Sequence, residues 1–362
     1  MRPTYSFLKS QVEKILWITF FYFIISIFLF FTGYSAILRL EVNMADQNIT
    51  THFIGSLVSG ISGGIIGGTI LVFYWSNWLR TLSYRRSLLN IFLTYTLVYI
   101  LVAVITSLFY RSLEFNILSF KSELWIGVLS DITSILQIQS YFLWLFIVLI
   151  TIIALLVNDK YGPGIFASFL LGKYFHPKRE ERVFMFLDLR GSTSAAEQLG
   201  EEKYFSFLKE VYRDSTPAIL KALGEIYQYV GDEIVISWKK EIGIKNANAI
   251  ECFFGIQACF LEKSSYYKEK YRGIMPEFKA GLHCGSVMAG EIGIVKRDIV
   301  YSGDVLNTTA RIQAKCNELK VNILLSEYLI KTMDKMPDHI QPREVGRIGL
   351  RGKREPLLLF TL

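Results

Sequence analysis

The run Tyr227-Gln228-Tyr229-Val230-Gly231-Asp232-Glu233-Ile234-Val235-Ile236 sets two aromatic and β-branched stretches on either side of a Gly-Asp pair. Gly-Asp between strand-forming residues predicts a β-hairpin with Asp232 at its tip. Upstream, Phe186-Leu187-Asp188-Leu189-Arg190-Gly191-Ser192-Thr193 is an apolar strand that ends in a carboxylate and a turn of small residues. Short strands are expected over 183–187, 226–229, 234–238, 278–284, 299–301 and 322–325, with amphipathic helices near 204–223, 247–271 and 305–316. Residues 343–362 add two strand-like runs joined at Gly352-Lys353-Arg354. A strand, a helix, a hairpin and a further helix in that order predict an α+β domain, one sheet covered by helices.

The first 158 residues follow another pattern. The chain has 362 residues and is 52% hydrophobic, and the apolar excess lies in this half. Between Lys14 and Arg39 stand 24 uncharged residues, and the runs 53–77, 87–110 and 132–158 are at least as long. About 20 apolar residues cross a bilayer core, so residues 1–158 are expected to form an all-α transmembrane bundle of four helices. A signal peptide does not fit the first run, which is too long, lacks a small-residue cleavage site and precedes three more spans. Basic residues Arg2, Lys9 and Lys14, then Arg80, Arg85 and Arg86, then Lys160, Lys173 and Lys178 alternate with segments carrying Glu41, Asp46, Glu114, Glu123 and Asp131. Positive charge stays inside. Both termini are therefore expected in the cytoplasm, with the spans in the cell (inner) membrane. Gly60, Gly64 and Gly68 line one face of the second span, a close-packing surface. The breaker Tyr161-Gly162-Pro163-Gly164 and the charged run 178–182 predict a juxtamembrane linker over 159–181, followed by a third region, 182–362.

The net charge of +7 gathers near the span ends, where topology accounts for it, so no nucleic-acid partner is expected. Cys252, Cys259, Cys284 and Cys316 show no paired short spacing, and the chain has four histidines. Neither a disulfide framework nor a zinc site is expected.

An Asp at a strand end beside free backbone N–H groups suits Mg²⁺ and phosphate, because hard cations take oxygen ligands and phosphates take N–H donors. Taken singly, Asp188 also fits a cap, and Gly231-Asp232 a plain turn. A third motif, Ser302-Gly303-Asp304-Val305-Leu306-Asn307-Thr308-Thr309-Ala310-Arg311, predicts a turn entering a helix. Asn307 and Arg311 stand four apart, on one helical face. An Arg there neutralises charge growing on a phosphoryl oxygen, and an Asn orients a sugar or phosphate.

The three motifs, in this order and spacing, resemble the catalytic domain of class III adenylate and guanylate cyclases over about 182–362. The resemblance implies a ferredoxin-like palm sheet covered by helices and a nucleoside triphosphate substrate. It also implies a homodimer with its sites at the subunit interface. Two Mg²⁺ or Mn²⁺ ions would be held by Asp188, Asp232 and Leu189, with Gly191, Ser192 and Thr193 on the nucleotide and Asn307 and Arg311 as the transition-state pair. The segment Gly281-Leu282-His283-Cys284-Gly285-Ser286-Val287 resembles the strand and turn before that pair. Leu350-Arg351-Gly352-Lys353 resembles the family's closing basic strand, which makes Arg351 and Lys353 candidates for the triphosphate.

At the two base-contacting positions the family's adenylate cyclases usually carry Lys and Asp or Thr, and its guanylate cyclases Glu and Cys. This chain has Gln228 and Val300. Gln228 offers a donor and an acceptor to a purine edge, and Val300 offers neither. The implied activity is that of a membrane-bound adenylate cyclase in intracellular signalling, since adenylate cyclases predominate among bacterial relatives. Guanylate cyclase, or a nucleotide-binding receptor domain without turnover, remains the alternative. Val230-Gly231-Asp232-Glu233-Ile234 is also similar to the Gly-Gly-Asp-Glu-Phe hairpin of diguanylate cyclases, but it lacks the first Gly, and the Asn/Arg motif is foreign to that family.

Overall fold

The computed structural model describes residues 5–39, 49–77, 84–115, 122–161, 172–295, 297–353 and 355–362. Arg2, Glu41, Asp46, Arg80, residues 162–171 of the expected linker, and Arg354 lie outside the described residues. The chain divides into two compact units, Met1–Lys160 and Tyr161–Leu362.

In the first unit the described residues form helices α1 (Tyr5–Arg39), α2 (Ile49–Asn77), α3 (Tyr84–Phe115), α4 (Ser122–Ile132) and α5 (Ile135–Tyr161). The segments Gln11–Ser35, Ile49–Phe73, Leu89–Arg111 and Gln137–Leu155 are long and apolar enough to cross a membrane. The glycine face of α2 is used inside the unit. A Cβ on Gly60 would strike Ser26, one on Gly64 would lie 3.1 Å from the Thr19 Cβ, and one on Gly68 would lie 3.3 Å from Ile18. Only glycine lets α1 and α2 approach that closely. Tyr95 donates to the Gly67 carbonyl at 2.9 Å, and Tyr22 and Thr151 share a hydrogen bond of 3.3 Å, which ties the remaining spans to this pair.

One sequence expectation changes here. Asp131, assigned to a loop, lies on α4 and takes a two-pronged ion pair from Arg111 of α3, at 2.9 Å from Nε and 2.7 Å from Nη2. The chain then breaks at Thr133–Ser134, so the fourth long helix starts at Ile135 rather than 132. A planar guanidinium matched to a carboxylate fixes orientation as well as distance, so α4 is held against the end of α3.

In the second unit eight strands form one mixed sheet in the order β2-β3-β1-β4-β6-β8-β7, with β5 on β4. They are β1 (Lys178–Leu189), β2 (Glu225–Val230), β3 (Glu233–Lys239), β4 (Phe278–Ile292), β5 (Asp298–Ser302), β6 (Ile323–Ser326), β7 (Arg343–Ile348) and β8 (Leu357–Thr361). The helices are α6 (Ser192–Leu199), α7 (Glu201–Lys221), α8 (Lys240–Ile244), α9 (Asn248–Glu262), α10 (Ser264–Lys270), α11 (Asp304–Glu318) and α12 (Glu327–Thr332).

Strand alternation sorts β1 between two layers. Val183, Met185, Leu187 and Leu189 enter the main core with Phe207, Val211, Phe253 and Ile256 from α7 and α9. Phe184 faces the other way, into a smaller cluster with Val287 and with Val305 of α11. Asp188 shares that second face by parity, and a bond from Gln313 of α11 agrees with it.

Three expectations shift. The charged run 178–182, read as the end of a linker, is the first part of β1, because Lys178 to Arg182 pair with Ala289 to Gly285 of β4. The single helix expected over 247–271 is two, α9 and α10, with buried Tyr267 and Tyr271 closing the core beside Phe207. Ser192 and Thr193, read as part of a turn, begin a helix, α6.

The sheet and α11 approach closely at Gly281, where a Cβ would lie 2.7 Å from the Gln313 Cα. Gly281→Val is expected to lower stability by about 1–3 kcal/mol through overpacking. Gly349→Ala, where a Cβ meets open space, is expected to change it by less than about 0.5 kcal/mol. Thermal unfolding of the detergent-solubilised chain measures both.

Candidate active site

The hairpin β2–β3 turns at Gly231, which has a φ of +61°, and Val230 pairs with Glu233. Glu233 in turn pairs with Asp188, which faces Lys279 on β4. Asp188 and Asp232 therefore stand at neighbouring strand ends, both half-buried. Lys279 Nζ lies 2.9 Å from Asp188 Oδ2, and Gln313 Nε2 donates to the same oxygen at 2.9 Å.

Burial, and then the charges of Asp188 and Asp232, push the Glu233 carboxyl up to about 7. Asp188, Asp232 and Glu233 thus share one corner with Lys279 against them, a surplus of negative charge that a divalent cation would relieve. Among the described residues no group of three or more His, Cys, Asp or Glu forms a cation cage. Asp188 and Asp232 fit a cation whose other ligands are phosphate and main-chain oxygens. Leu189 can contribute only through its main chain, because its side chain lies in the core.

Gly191, with a φ of +64°, turns the chain from β1 into α6, and no side chain caps that helix. The first-turn N–H groups of Ser192 and Thr193 lack intrahelical acceptors. They stand four and five residues beyond Asp188. Two tyrosines of α7 close the corner from the side. The Tyr212 hydroxyl donates to the Gly231 carbonyl, and burial followed by the Asp232 charge raises it to about 12. Tyr204 is raised by the same two causes in the same order.

Asn307 is exposed and Arg311 half-buried on α11. A Cβ on Gly352 would lie 3.4 Å from the Arg311 guanidinium, so Arg311 meets the turn that carries Arg351 and Lys353. Lys353 pairs with Asp304 at the start of α11. Gln313, two residues beyond Arg311, faces Asp188. Two residues amount to about 200° around a helix. Arg311 and Asp188 consequently lie on opposite flanks of α11, with β1 and β8 on opposite sides of β4. Gln228 is exposed on β2 and Val300 half-buried on β5, and their neighbours Tyr227 and Tyr301 touch, with ring centroids 5.0 Å apart.

The adenylate and guanylate cyclase catalytic domain family matches residues 176–362, more than half of the chain. The chain belongs to this family. The chain is similar to adenylate cyclase 2 of Rhizobium meliloti (strain 1021), 35% identical over 211 residues that cover 58% of each chain. It is also similar to an adenylate cyclase of Anabaena cylindrica, 26% identical over 50% of this chain and 36% of that one. The chain thus spans between about a third and three fifths of the length of these relatives. Among solved structures, a bacterial light-regulated adenylyl cyclase has the same fold, with a TM-score of 0.53 at 19% identity over 64% of this chain and 66% of that one.

Sequence reading missed Lys279, Gln313, Glu233, Tyr204 and Tyr212 as companions of the cyclase domain's aspartates. Only Glu233, adjacent to Asp232, carried a local signal. The others arrive through sheet register and helix packing.

His283 on β4 shares a 2.7 Å hydrogen bond between Nδ1 and Ser326 Oγ. Burial first, and then nearby Lys353, push its imidazole down to about 4. An imidazole depressed in the folded state supports stability above its unfolded pKa of about 6.5 and loses that support as pH falls toward 4. His283→Gln is expected to flatten the fall in melting temperature between about pH 6.5 and 4, as followed by scanning fluorimetry.

Proposed function

We propose that the chain is a membrane-bound nucleotidyl cyclase that converts ATP to 3′,5′-cyclic AMP and pyrophosphate. The observation that carries this reading is the meeting of Asp188 and Asp232 at two strand ends beside the uncapped start of α6. Family membership and the likeness to two bacterial adenylate cyclases support ATP over GTP.

Two divalent cations, Mg²⁺ or Mn²⁺, held by Asp188, Asp232 and the Leu189 main chain, would acidify the ribose 3′-hydroxyl and neutralise the triphosphate. The hydroxyl proton passes to solvent, the hydroxyl oxygen bonds to the α-phosphorus while the bond from that phosphorus to the α,β-bridging oxygen breaks, and pyrophosphate leaves. The N–H groups of Ser192 and Thr193 receive phosphate oxygens. Arg311 balances charge on the α-phosphoryl group and Asn307 orients the ribose. Arg351 and Lys353 hold the triphosphate, for which Lys353 exchanges its exposed partner Asp304. An exposed ion pair of this kind costs little to break.

Two copies of the chain supply each site. Within one copy α11 carries Gln313 on the Asp188 flank and Arg311 on the Gly352 flank, so the Asn/Arg pair serves the aspartates of a second copy. The four apolar helices anchor this homodimer in the cell membrane, and the basic residues at their ends favour a cytoplasmic cyclase domain.

The purified full-length protein, assayed separately with ATP and GTP, tests the activity and the substrate. Cyclic AMP from ATP is the expected product. Preferential turnover of GTP would make it a guanylate cyclase, and turnover of neither would remove the enzyme reading. Asp188→Ala or Asp232→Ala is expected to reduce synthesis at least about 100-fold. Co-expression of Asp188→Ala with Arg311→Ala is expected to restore a measurable part, because the mixed dimer keeps one intact site. Full activity in either single aspartate variant contradicts the metal assignment.

A further inference from the structure

Gln228 and Val300 lie on strands that do not pair. β2 and β5 are separated in the sheet by β3, β1 and β4, so no main-chain ladder joins them directly. Side chains do. The β2–β3 register slips between Ile226, opposite Ile236, and Gln228, opposite Val235. Tyr227 is the extra residue of this bulge, and a bulge re-aims the side chain it carries.

Tyr227 reaches across the face of β1 to β5, where its hydroxyl accepts the Tyr301 N–H at 3.3 Å. The two rings lie 5.0 Å apart, and Phe184 of β1 packs edge-on beneath them at 6.5 and 5.6 Å. Arg182, 1% exposed, sets its guanidinium 4.6 Å from the Tyr301 ring centroid. The same guanidinium is fixed by Glu180 at 2.9 Å, by Ser237 of β3 at 3.0 Å, and by Glu225 of β2. A buried arginine with three polar partners on three strands and an aromatic ring on a fourth is a rigid support.

We propose that Tyr227 and Tyr301, held by Arg182, are positioning residues that set the distance between Gln228 and Val300 and thereby the purine selectivity of the site. The proposal rests on the cyclase reading above. Val300 has no hydrogen-bonding group for a base, so discrimination on its side depends on where the β5 wall stands relative to Gln228. Selectivity then comes from a fixed gap between two strands, and the tyrosine tie holds that gap.

Tyr227→Phe tests it with little disturbance, because only the hydroxyl that accepts the Tyr301 N–H is removed. The full-length wild type and variant are compared with ATP and GTP for kcat, KM and melting temperature. The expected result is a KM for the preferred nucleotide raised about fivefold, the loss typical of one hydrogen bond. The ratio of kcat/KM between the two nucleotides is expected to move toward unity by a similar factor, with kcat changed less than about twofold. Arg182→Lys, which keeps the charge and loses the fork, is expected to shift the ratio further in the same direction.

An unchanged nucleotide ratio in Tyr227→Phe overturns the proposal, whether or not the melting temperature falls, since a merely structural tie alters stability alone. A fall in kcat at constant KM also overturns it. If Arg182→Lys fails to fold, Tyr227→Phe decides by itself. A wild type that cyclises neither nucleotide overturns the function proposed above and this proposal with it, whereas an active wild type with an unmoved ratio overturns this proposal alone.

Discussion

β1 is hydrogen-bonded along both edges, to β3 from Arg182 to Asp188 and to β4 from Lys178 to Leu189. Because side chains alternate at every residue, this fixed register decides the fate of each position. Val183, Met185, Leu187 and Leu189 enter the main core, and Arg182, Phe184 and Asp188 are left on the face that α11 covers only in part. A slip of one residue would bury Asp188 among Phe207 and Phe278 and turn Leu187 toward α11. The same ladder sets Asp188 opposite Glu233 and hence beside Asp232. The chemistry of the corner is a consequence of strand pairing.

Helix α11 divides its labour between its two flanks. Gln313 holds Asp188 in orientation on one side, and Arg311 rests against the β7–β8 turn on the other. The close contact at Gly281 presses the helix onto β4 and fixes its rotation. With rotation fixed, Arg311 stays on the Gly352 flank, turned away from Gln313 and Asp188.

Much of this was legible in the residues. The apolar runs, the Gly-Asp hairpin, the strand ending in Asp188 and the four-residue step from Asn307 to Arg311 are local patterns with local physical causes. What escaped was set by contacts distant in sequence. Lys279 meets Asp188 through a ladder joining positions about ninety residues apart, and Gln313 through helix packing. The bulge at Tyr227 escaped, because residues 226–229 read as one regular strand. Lys178 to Arg182 read as a solvated connector since five charges in a row suit water. Yet Arg182 is buried, and its charge is balanced by Glu180 and Glu225. Asp131 misled in a similar way, as a loop charge that is in truth the partner of Arg111.

The central place of β1 also bears on how the chain is made. β1 is the first strand synthesised, but its β4 partner begins at Phe278, about ninety residues later. At roughly 5–20 residues per second, the strand waits several seconds with an apolar centre and at least one open edge, a state prone to pairing with other chains. The charges at its leading end act as gatekeepers during that interval. Burial of Arg182 before Glu225 and Ser237 are in place would leave its charge only partly paired in the interior. Residues that read as a spacer thus include the one that locks β1 to β2 and β3 once the sheet is closed.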